Sequence, residues 1–181
     1  MYLPPCDQDE TRIGFSIPVP PPWAEEIQQA RIRYHDDYAE MIPTHITIIG
    51  PTAVKFQDLP AITVHLDIVC DNTPPFMVEL AGTGTFRPTS DVSFIRVTTG
   101  FAECTALQAR ANKGVLARPM RFPYHPHVTL AHGVAPAYLD SAEHEFANLF
   151  ARFQVDTLWL YLHDPDGVWR KYSKFALRGV K

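Results

Sequence analysis

The stretch His45-Ile46-Thr47-Ile48 recurs, with conservative changes, as His127-Val128-Thr129-Leu130. In each copy a histidine and a threonine stand two apart in an aliphatic run, and side chains alternate between the two faces of a β-strand. Each copy is therefore predicted to be a strand that presents an imidazole and a hydroxyl on one face and aliphatic groups on the other. Two such strands side by side would gather two imidazoles and two hydroxyls at one pocket.

A single histidine on a strand is usually a packed residue with its hydrogen bonds satisfied, and a short motif often occurs by chance. This pair differs, because both copies have aliphatic residues at the alternate positions and no other histidine of the chain has a threonine two residues later. We therefore interpret the pair as one functional site, with ordinary strand packing as the alternative.

Length and charge favour one soluble, cytoplasmic domain. We expect a single domain over residues 1–181, with an N-terminal tail at about 1–10. The formal net charge of -4 argues against binding to long duplex nucleic acid, which depends on many Lys and Arg contacts, but it allows a nucleotide or an RNA end. The chain start lacks the features of a signal peptide, and no stretch is apolar enough to cross a bilayer.

The three cysteines, Cys6, Cys70 and Cys104, are far apart and odd in number. This spacing predicts idle thiols in a reducing compartment, not a disulfide framework or a zinc site. Nothing in the sequence implies a membrane or a protein partner, and we expect a monomer.

Hydrophobic periodicity predicts an α+β fold. One half of the chain has a strand at 13–19, a helix at 24–34 and then the first motif strand. The other half has, in the same order, a strand at 92–98, a helix at 101–112 and the second motif strand. The first helix has side chains at helical spacing, namely Ile27, Ala30, Arg31 and Tyr34. The repeated order indicates two similar α+β lobes that meet at the motif strands.

Three local predictions concern the rest of the chain. A helix is expected at 138–150, and strands at 153–162 and 168–177 should form a hairpin around Asp164-Pro165-Asp166-Gly167. The stretch Gly82-Thr83-Gly84-Thr85 lacks the third glycine of a dinucleotide-binding loop, so we interpret it as a β-bulge.

The paired motifs suit proton transfer at a phosphate ester. Histidine titrates near neutral pH, so one imidazole can donate a proton while the other accepts one. Threonine hydroxyls can donate hydrogen bonds to phosphate oxygens, where charge grows in the transition state. This chemistry requires no metal ion and no other cofactor.

A metal site is the competing interpretation, because histidine is the commonest metal ligand and His125, His127 and His132 crowd the second motif. A catalytic metal usually has a further imidazole or a carboxylate close by, and no aspartate or glutamate lies beside either motif. Proton transfer is therefore the favoured interpretation.

The chain resembles the two-histidine phosphoesterases, which include the bacterial RNA-ligase-like cyclic phosphodiesterases. The specific likenesses are His45-Ile46-Thr47 and Tyr124-His125-Pro126-His127-Val128-Thr129-Leu130-Ala131. Weaker support comes from Pro75-Phe76, from Gly82-Thr83-Gly84 followed by Phe86, and from Gly167-Val168-Trp169 before Phe175-Ala176-Leu177.

The resemblance implies a bilobal α+β fold in which antiparallel sheets of two pseudo-symmetric lobes face a central cleft and the helices lie outside. It also implies metal-independent hydrolysis of 2′,3′-cyclic phosphates of RNA ends or nucleotides to 2′-phosphates, with 2′-5′ ligation as the reverse reaction. By the same resemblance His45 protonates the departing 3′ oxygen, His127 activates water, and Thr47 and Thr129 hold the phosphate. The alternative function is a module that binds RNA ends or nucleotides without turnover.

One position departs from several relatives, which carry an arginine directly after Thr-Leu-Ala where this chain has His132. His132 is itself a candidate substrate contact, and a permanent cation near the substrate is then either missing or supplied elsewhere. Arg118 and Arg121, in the segment before the second motif, are candidates for contact with an RNA backbone, with a solvated loop as the alternative.

Three further residues are candidate substrate contacts. Tyr124 and Phe86 could stack on a base, with core packing as their alternative role. His125 shares the predicted face of His127 and is a candidate for the mouth of the pocket, with a structural role as the alternative.

Overall fold

The computed structural model describes residues 2–180, which form eight strands and four helices. In chain order these are β1 (Glu10–Pro18), α1 (Trp23–Arg33), β2 (His45–Lys55), α2 (Leu59–Asp71), β3 (Phe76–Thr85), β4 (Val92–Thr99), α3 (Phe101–Ala111), β5 (His127–His132), α4 (Pro136–Glu145), β6 (Phe150–Val155), β7 (Thr157–His163) and β8 (Trp169–Ala176). The longest helix, α2, has 13 residues. Within residues 2–180, no helix has the combined length and apolar character that a bilayer crossing demands.

The strands form one antiparallel sheet in the order β6-β3-β4-β5-β2-β1-β7-β8. The two motif strands, β2 and β5, are adjacent at its centre, and one residue pair, Ile46 with Val128, joins them. The sheet therefore consists of two four-stranded halves that meet at this pair. The predicted α+β fold with two lobes is confirmed, and the two expected sheets are the halves of one curled sheet.

Side chains of the motif strands alternate between two faces, as predicted. The aliphatic side chains are buried in the core, at 2% exposure or less: Ile46, Ile48, Val128 and Leu130. The polar side chains on the other face stay partly exposed: His45, Thr47, His127 and Thr129. Helices α1 and α3 contribute Ile27 and Leu107 to the same core. A shift of one residue would exchange the two faces, so the apolar face holds the strands in register.

Two predictions about the C-terminal third were wrong. The helix expected at 138–150 ends at Glu145, and Phe150 already belongs to β6. The strand expected at 153–162 is two strands, because the chain leaves β6 at Asp156 and crosses from one half of the sheet to the other. β6 pairs with β3 in one half, and β7 pairs with β1 in the other. The alternation of apolar and polar residues along a segment carries no information about which strand it pairs with.

Two turn predictions are confirmed. The hairpin of β7 and β8 closes with His163 opposite Trp169, around the predicted turn. The register of β3 against β4 shifts between Leu80 and Thr83, and Gly82 lies there with a φ of 69°. A residue in the left-handed region at a register shift is typical of a β-bulge.

The three cysteines are free. Cys70 and Cys104 are fully buried, and burial raises the pKa of both thiols to about 12. Their thiols therefore stay protonated at neutral pH and act as packing groups.

Gly100, which precedes α3, supplies a test of the packing between this turn and β3. Its φ of 87° lies in the left-handed region, and a Cβ there would stand 2.7 Å from the carbonyl oxygen of Met77 and 2.9 Å from Cγ2 of Val78. At Gly82, with a φ of 69°, a Cβ would meet no atom within 4 Å. We expect Gly82→Ala to lower the free energy of unfolding by about 1 to 2 kcal/mol through backbone strain alone. Gly100→Ala should cost about 1 to 3 kcal/mol more through overlap, measured by urea unfolding, and equal losses would contradict this account.

Candidate active site

The two motif histidines lie at the start of the two central strands and open into one pocket. His45 is the first residue of β2 and His127 is the first residue of β5. The pocket has a volume of about 290 Å³, and both imidazoles line it together with Thr47 and Thr129. The predicted gathering of the four polar side chains is thus present.

The register at the centre of the sheet explains this arrangement. Ile46 lies opposite Val128 in an antiparallel pair. Continued by one residue in each direction, this register places His45 on the side of Thr129 and Thr47 on the side of His127. The four polar groups therefore stand in a crossed arrangement around an approximate two-fold axis through the central pair.

The same hydrogen bond orients each imidazole. Nδ1 of His45 donates to the carbonyl oxygen of Pro43 at 2.7 Å, and Nδ1 of His127 donates to the carbonyl oxygen of His125 at 2.7 Å. A carbonyl oxygen can only accept, so Nδ1 carries the proton in both neutral rings. Nε2 is then the nitrogen of each histidine that can gain or release a proton.

The surroundings of the two Nε2 atoms differ. Nε2 of His45 lies 3.0 Å from Oγ1 of Thr47, whose hydroxyl donates to it when the ring is neutral. The His127 ring is held instead by aromatic contacts, since the Phe86 ring lies nearly perpendicular to it at 4.9 Å between centroids and Phe94 lies 5.3 Å away. Phe86 therefore supports a pocket histidine directly.

Burial lowers the pKa of both pocket histidines to about 4. The hydrogen bond from Nδ1 to a carbonyl opposes this shift, whereas for His45 the positive charge of Arg31 adds to it. In the empty pocket at neutral pH both rings are therefore neutral. A bound anion would favour the protonated form and raise the pKa of a neighbouring imidazole.

The pocket also contains residues that the motifs did not predict. Arg31 from α1 and Tyr38 from the following loop line it, and His132 stacks on Tyr38 at 5.4 Å between ring centroids. His132 was a sequence candidate for this site and does line the pocket; burial lowers its pKa below the ordinary value. In the sequence, Arg31 was indicated only by its place among the core-facing positions of the first helix.

A groove of about 980 Å³ extends from the pocket and shares Thr47, Phe86 and His127 with it. The remaining sequence candidates line this groove and not the pocket itself: Arg118, Arg121, Tyr124 and His125. They come from the segment between α3 and β5, where Arg118 and Arg121 are exposed.

Two of the groove residues have defined contacts. The Tyr124 hydroxyl donates to the carbonyl oxygen of Thr47 at 2.8 Å, which ties the segment to β2. His125 is exposed at the groove and surrounded by Phe86, Phe94 and Phe101. Tyr124 thus has a structural contact in addition to its place in the groove.

The positions of the histidines bear on the alternative of a metal site. The ring centroids of His125 and His127 are 6.3 Å apart. Within residues 2–180, no three His, Cys, Asp or Glu side chains cluster in a way that could hold a metal ion.

Comparison with known proteins places this geometry in a family. Residues 18–167 match the family model of the 2′-5′ RNA ligase superfamily. A Bacillus cereus protein named as a candidate phosphoesterase is 26% identical over 156 residues, which cover 81% of this chain and 86% of that protein. A Bacillus thuringiensis protein with the same name matches equally well.

Solved structures have the same fold. Escherichia coli LigT complexed with 3′-AMP is similar with a TM-score of 0.66 and 17% identity, over 93% of this chain and 98% of that one. TT0787 of Thermus thermophilus is similar with a TM-score of 0.63 and 22% identity, over 94% of this chain and 100% of that one. The family match covers most of the chain, including both histidine motifs, and we conclude that the protein belongs to the 2′-5′ RNA ligase superfamily, among the two-histidine phosphoesterases.

Proposed function

We propose that this protein is a cyclic phosphodiesterase that hydrolyses 2′,3′-cyclic phosphates of RNA ends or nucleotides to 2′-phosphates by histidine acid–base catalysis, without a metal ion. The observation that carries the proposal is the pair of imidazoles whose Nε2 atoms are both available for proton transfer in one pocket. Related proteins are named as phosphoesterases, which supports the proposal that this protein hydrolyses phosphate esters.

The proposed reaction has one nucleophile and one leaving group. Nε2 of His127 takes a proton from water, and the water oxygen forms a bond to phosphorus. The bond between phosphorus and the 3′ oxygen breaks, and Nε2 of His45 donates its proton to that oxygen. The products are a 2′-phosphate and a 3′ hydroxyl. With the 5′ hydroxyl of a second RNA in place of water, the same steps would join two RNA ends through a 2′-5′ linkage.

The protonated state of the acid depends on the substrate in this scheme. With a pKa of about 4, neither histidine is charged in the empty pocket at neutral pH. The cyclic phosphate is an anion, and its charge beside an imidazole favours the protonated form. Substrate binding therefore brings the phosphorus atom that is attacked and also favours the protonated imidazole that acts as the acid.

The groove is the proposed site for the nucleoside and any attached RNA. Arg118 and Arg121 would contact phosphates of the backbone, and the rings of Phe86 and Tyr124 would stack on a base. His125 would lie at the mouth of the pocket. The similar LigT structure holds 3′-AMP, which supports a nucleotide-sized ligand on this fold.

The histidines are tested by substitution. Each of His45→Ala and His127→Ala should lower kcat about 10²- to 10⁴-fold on 2′,3′-cyclic AMP in EDTA, because each removes one proton-transfer group. His144→Ala is the matched control, since His144 is exposed on α4 and is not among the residues that line the pocket. Turnover would be followed by chromatography, and the product identified by its phosphorus resonance.

Three results would overturn the proposal. Full activity in both histidine variants would remove the acid–base scheme, and a 3′-phosphate product would reverse the assignment of the leaving oxygen. Tight binding of cyclic nucleotides and RNA ends without any turnover would instead identify the protein as a binding module.

The threonines are tested by isosteric changes. Thr47→Val and Thr129→Val should each lower kcat about 10²-fold, because each removes a hydroxyl that would donate to the phosphate in the transition state. Thr47→Ser and Thr129→Ser keep the hydroxyl and should retain most of the activity. Equal activity in the Val and Ser variants would exclude a role for the hydroxyls.

The lowered pKa values predict an unusual pH dependence. Since kcat/KM reports the free enzyme, it should rise as the pH falls from about 7 towards about 5, below the ordinary histidine pKa of about 6.5. The profile of kcat reports the complex and should peak at higher pH, because the bound anion favours the charged imidazole. Initial rates between about pH 4 and about pH 8 would measure both, and a kcat/KM maximum at or above pH 7 would contradict this account.

A further inference from the structure

Arg31 is an unusual residue for the position it occupies. It lies on the core-facing side of α1, is only 3% exposed, and lines the pocket with His45 and His127. Arginine is seldom fully buried without a paired charge, because removing a guanidinium from water is costly. No other lysine or arginine among residues 2–180 lines this pocket.

The hydrogen bonds of Arg31 engage only part of its guanidinium. Nε donates to Oδ2 of Asp36 at 3.0 Å, and Nη1 donates to the carbonyl oxygen of Ile42 at 3.2 Å. Nη2 has no acceptor within residues 2–180, and it is not one of the fully enclosed unsatisfied atoms of that range. Among the described residues, Nη2 is therefore the part of the guanidinium without an acceptor, on a side chain that lines the pocket.

Asp36 anchors the guanidinium in this orientation. Its carboxylate is buried beside Arg31, and its other oxygen accepts a hydrogen bond from the backbone N–H of Tyr38 at 3.0 Å. Two fixed acceptors, Asp36 and the Ile42 carbonyl, thus hold one end of a planar group with several donors. The free end is preorganised, so binding an anion there would cost little reorganisation.

The charge of Arg31 reaches the pocket. It is one of the causes that lower the pKa of His45 and of His132. His132 is also a neutral imidazole at neutral pH because burial lowers its pKa, and it stacks on Tyr38. Among residues 2–180, Arg31 is therefore the permanently charged cation that lines this pocket.

We propose that Arg31 binds the phosphate of the substrate, with Nη2 donating to a non-bridging oxygen. The proposal rests on the proposed function, because it assumes that a phosphate enters this pocket. A cyclic phosphate carries one negative charge, and attack by water adds a second as the transition state forms. A fixed guanidinium stabilises the second charge more than the first, so Arg31 accelerates the reaction as well as binding the substrate.

A purely structural role is the competing explanation. Arg31 holds the carbonyl of Ile42, and the next residue, Pro43, supplies the carbonyl that orients His45. Loss of Arg31 could then misplace His45 without any contact to phosphate. Asp36→Asn separates the two roles, because it weakens the anchor and leaves the guanidinium in place.

The test measures binding of inorganic phosphate by calorimetry with the full chain, independently of turnover. Arg31→Gln should weaken phosphate binding about 10- to 100-fold, the loss of one charge-assisted hydrogen bond, and should lower kcat/KM for 2′,3′-cyclic AMP by at least as much. Asp36→Asn keeps the guanidinium and should weaken phosphate binding much less than Arg31→Gln does. Arg33→Gln is the matched control, because Arg33 lies on the same helix, is exposed and pairs with Glu145.

A second measurement does not depend on folding of a variant. In the unaltered protein, the guanidinium nitrogen resonances of Arg31 should shift as phosphate is added, whereas those of Arg33 should not. The proposal is overturned if Arg31 does not respond, if Arg31→Gln folds and binds phosphate normally, or if Asp36→Asn and Arg31→Gln weaken binding equally. Phosphate binding that depends on Arg31, in a protein without cyclic phosphodiesterase activity, would refute the proposed function and leave this site standing.

Discussion

A single residue pair at the centre of the sheet positions the four polar groups that the two motifs bring to the pocket. Ile46 and Val128 are both fully buried, and they form the one registered pair between the two motif strands. Because side chains alternate along a strand, burial of these two aliphatic groups sends the histidines and threonines on either side of them to the open face. A slip of one residue would place two imidazoles in the core, so hydrophobic packing protects the geometry of the pocket.

The two histidines are oriented by equivalent local geometry. In each case the accepting carbonyl belongs to the residue two positions earlier, Pro43 for His45 and His125 for His127. This bond offsets part of the cost of burying an imidazole and selects the tautomer with a free Nε2. Because the same backbone arrangement occurs at both motifs, the two imidazoles have equivalent orientations although the motifs are far apart in the sequence. The symmetry is then broken by the neighbours, with Thr47 beside one ring and Phe86 beside the other.

Sequence reasoning succeeded where the controlling interaction is local. The strand period predicted which side chains of His45-Ile46-Thr47-Ile48 face the pocket. It could not predict that β6 and β7 are separate at Asp156, because that break reflects a change of partner strand. It identified the bulge at Gly82 but not the need for Gly84, where a Cβ would stand 2.8 Å from the Phe94 ring that packs against His127. Arg31 was found on the correct helix, yet its contact with the pocket depends on how that helix packs.

In the proposed reaction, the charges of the pocket make acid–base catalysis depend on the substrate. Arg31 is paired with Asp36, and the imidazoles of His45 and His127 are neutral at neutral pH, so these groups of the pocket together carry little net charge. An anionic phosphodiester adds a negative charge to the pocket, and protonation of His45 compensates for that charge. A neutral phosphate triester of the same shape would leave both rings uncharged and provide no acid. In the proposed reaction, discrimination in favour of anionic substrates therefore arises from the imidazoles themselves as well as from the proposed contact with Arg31.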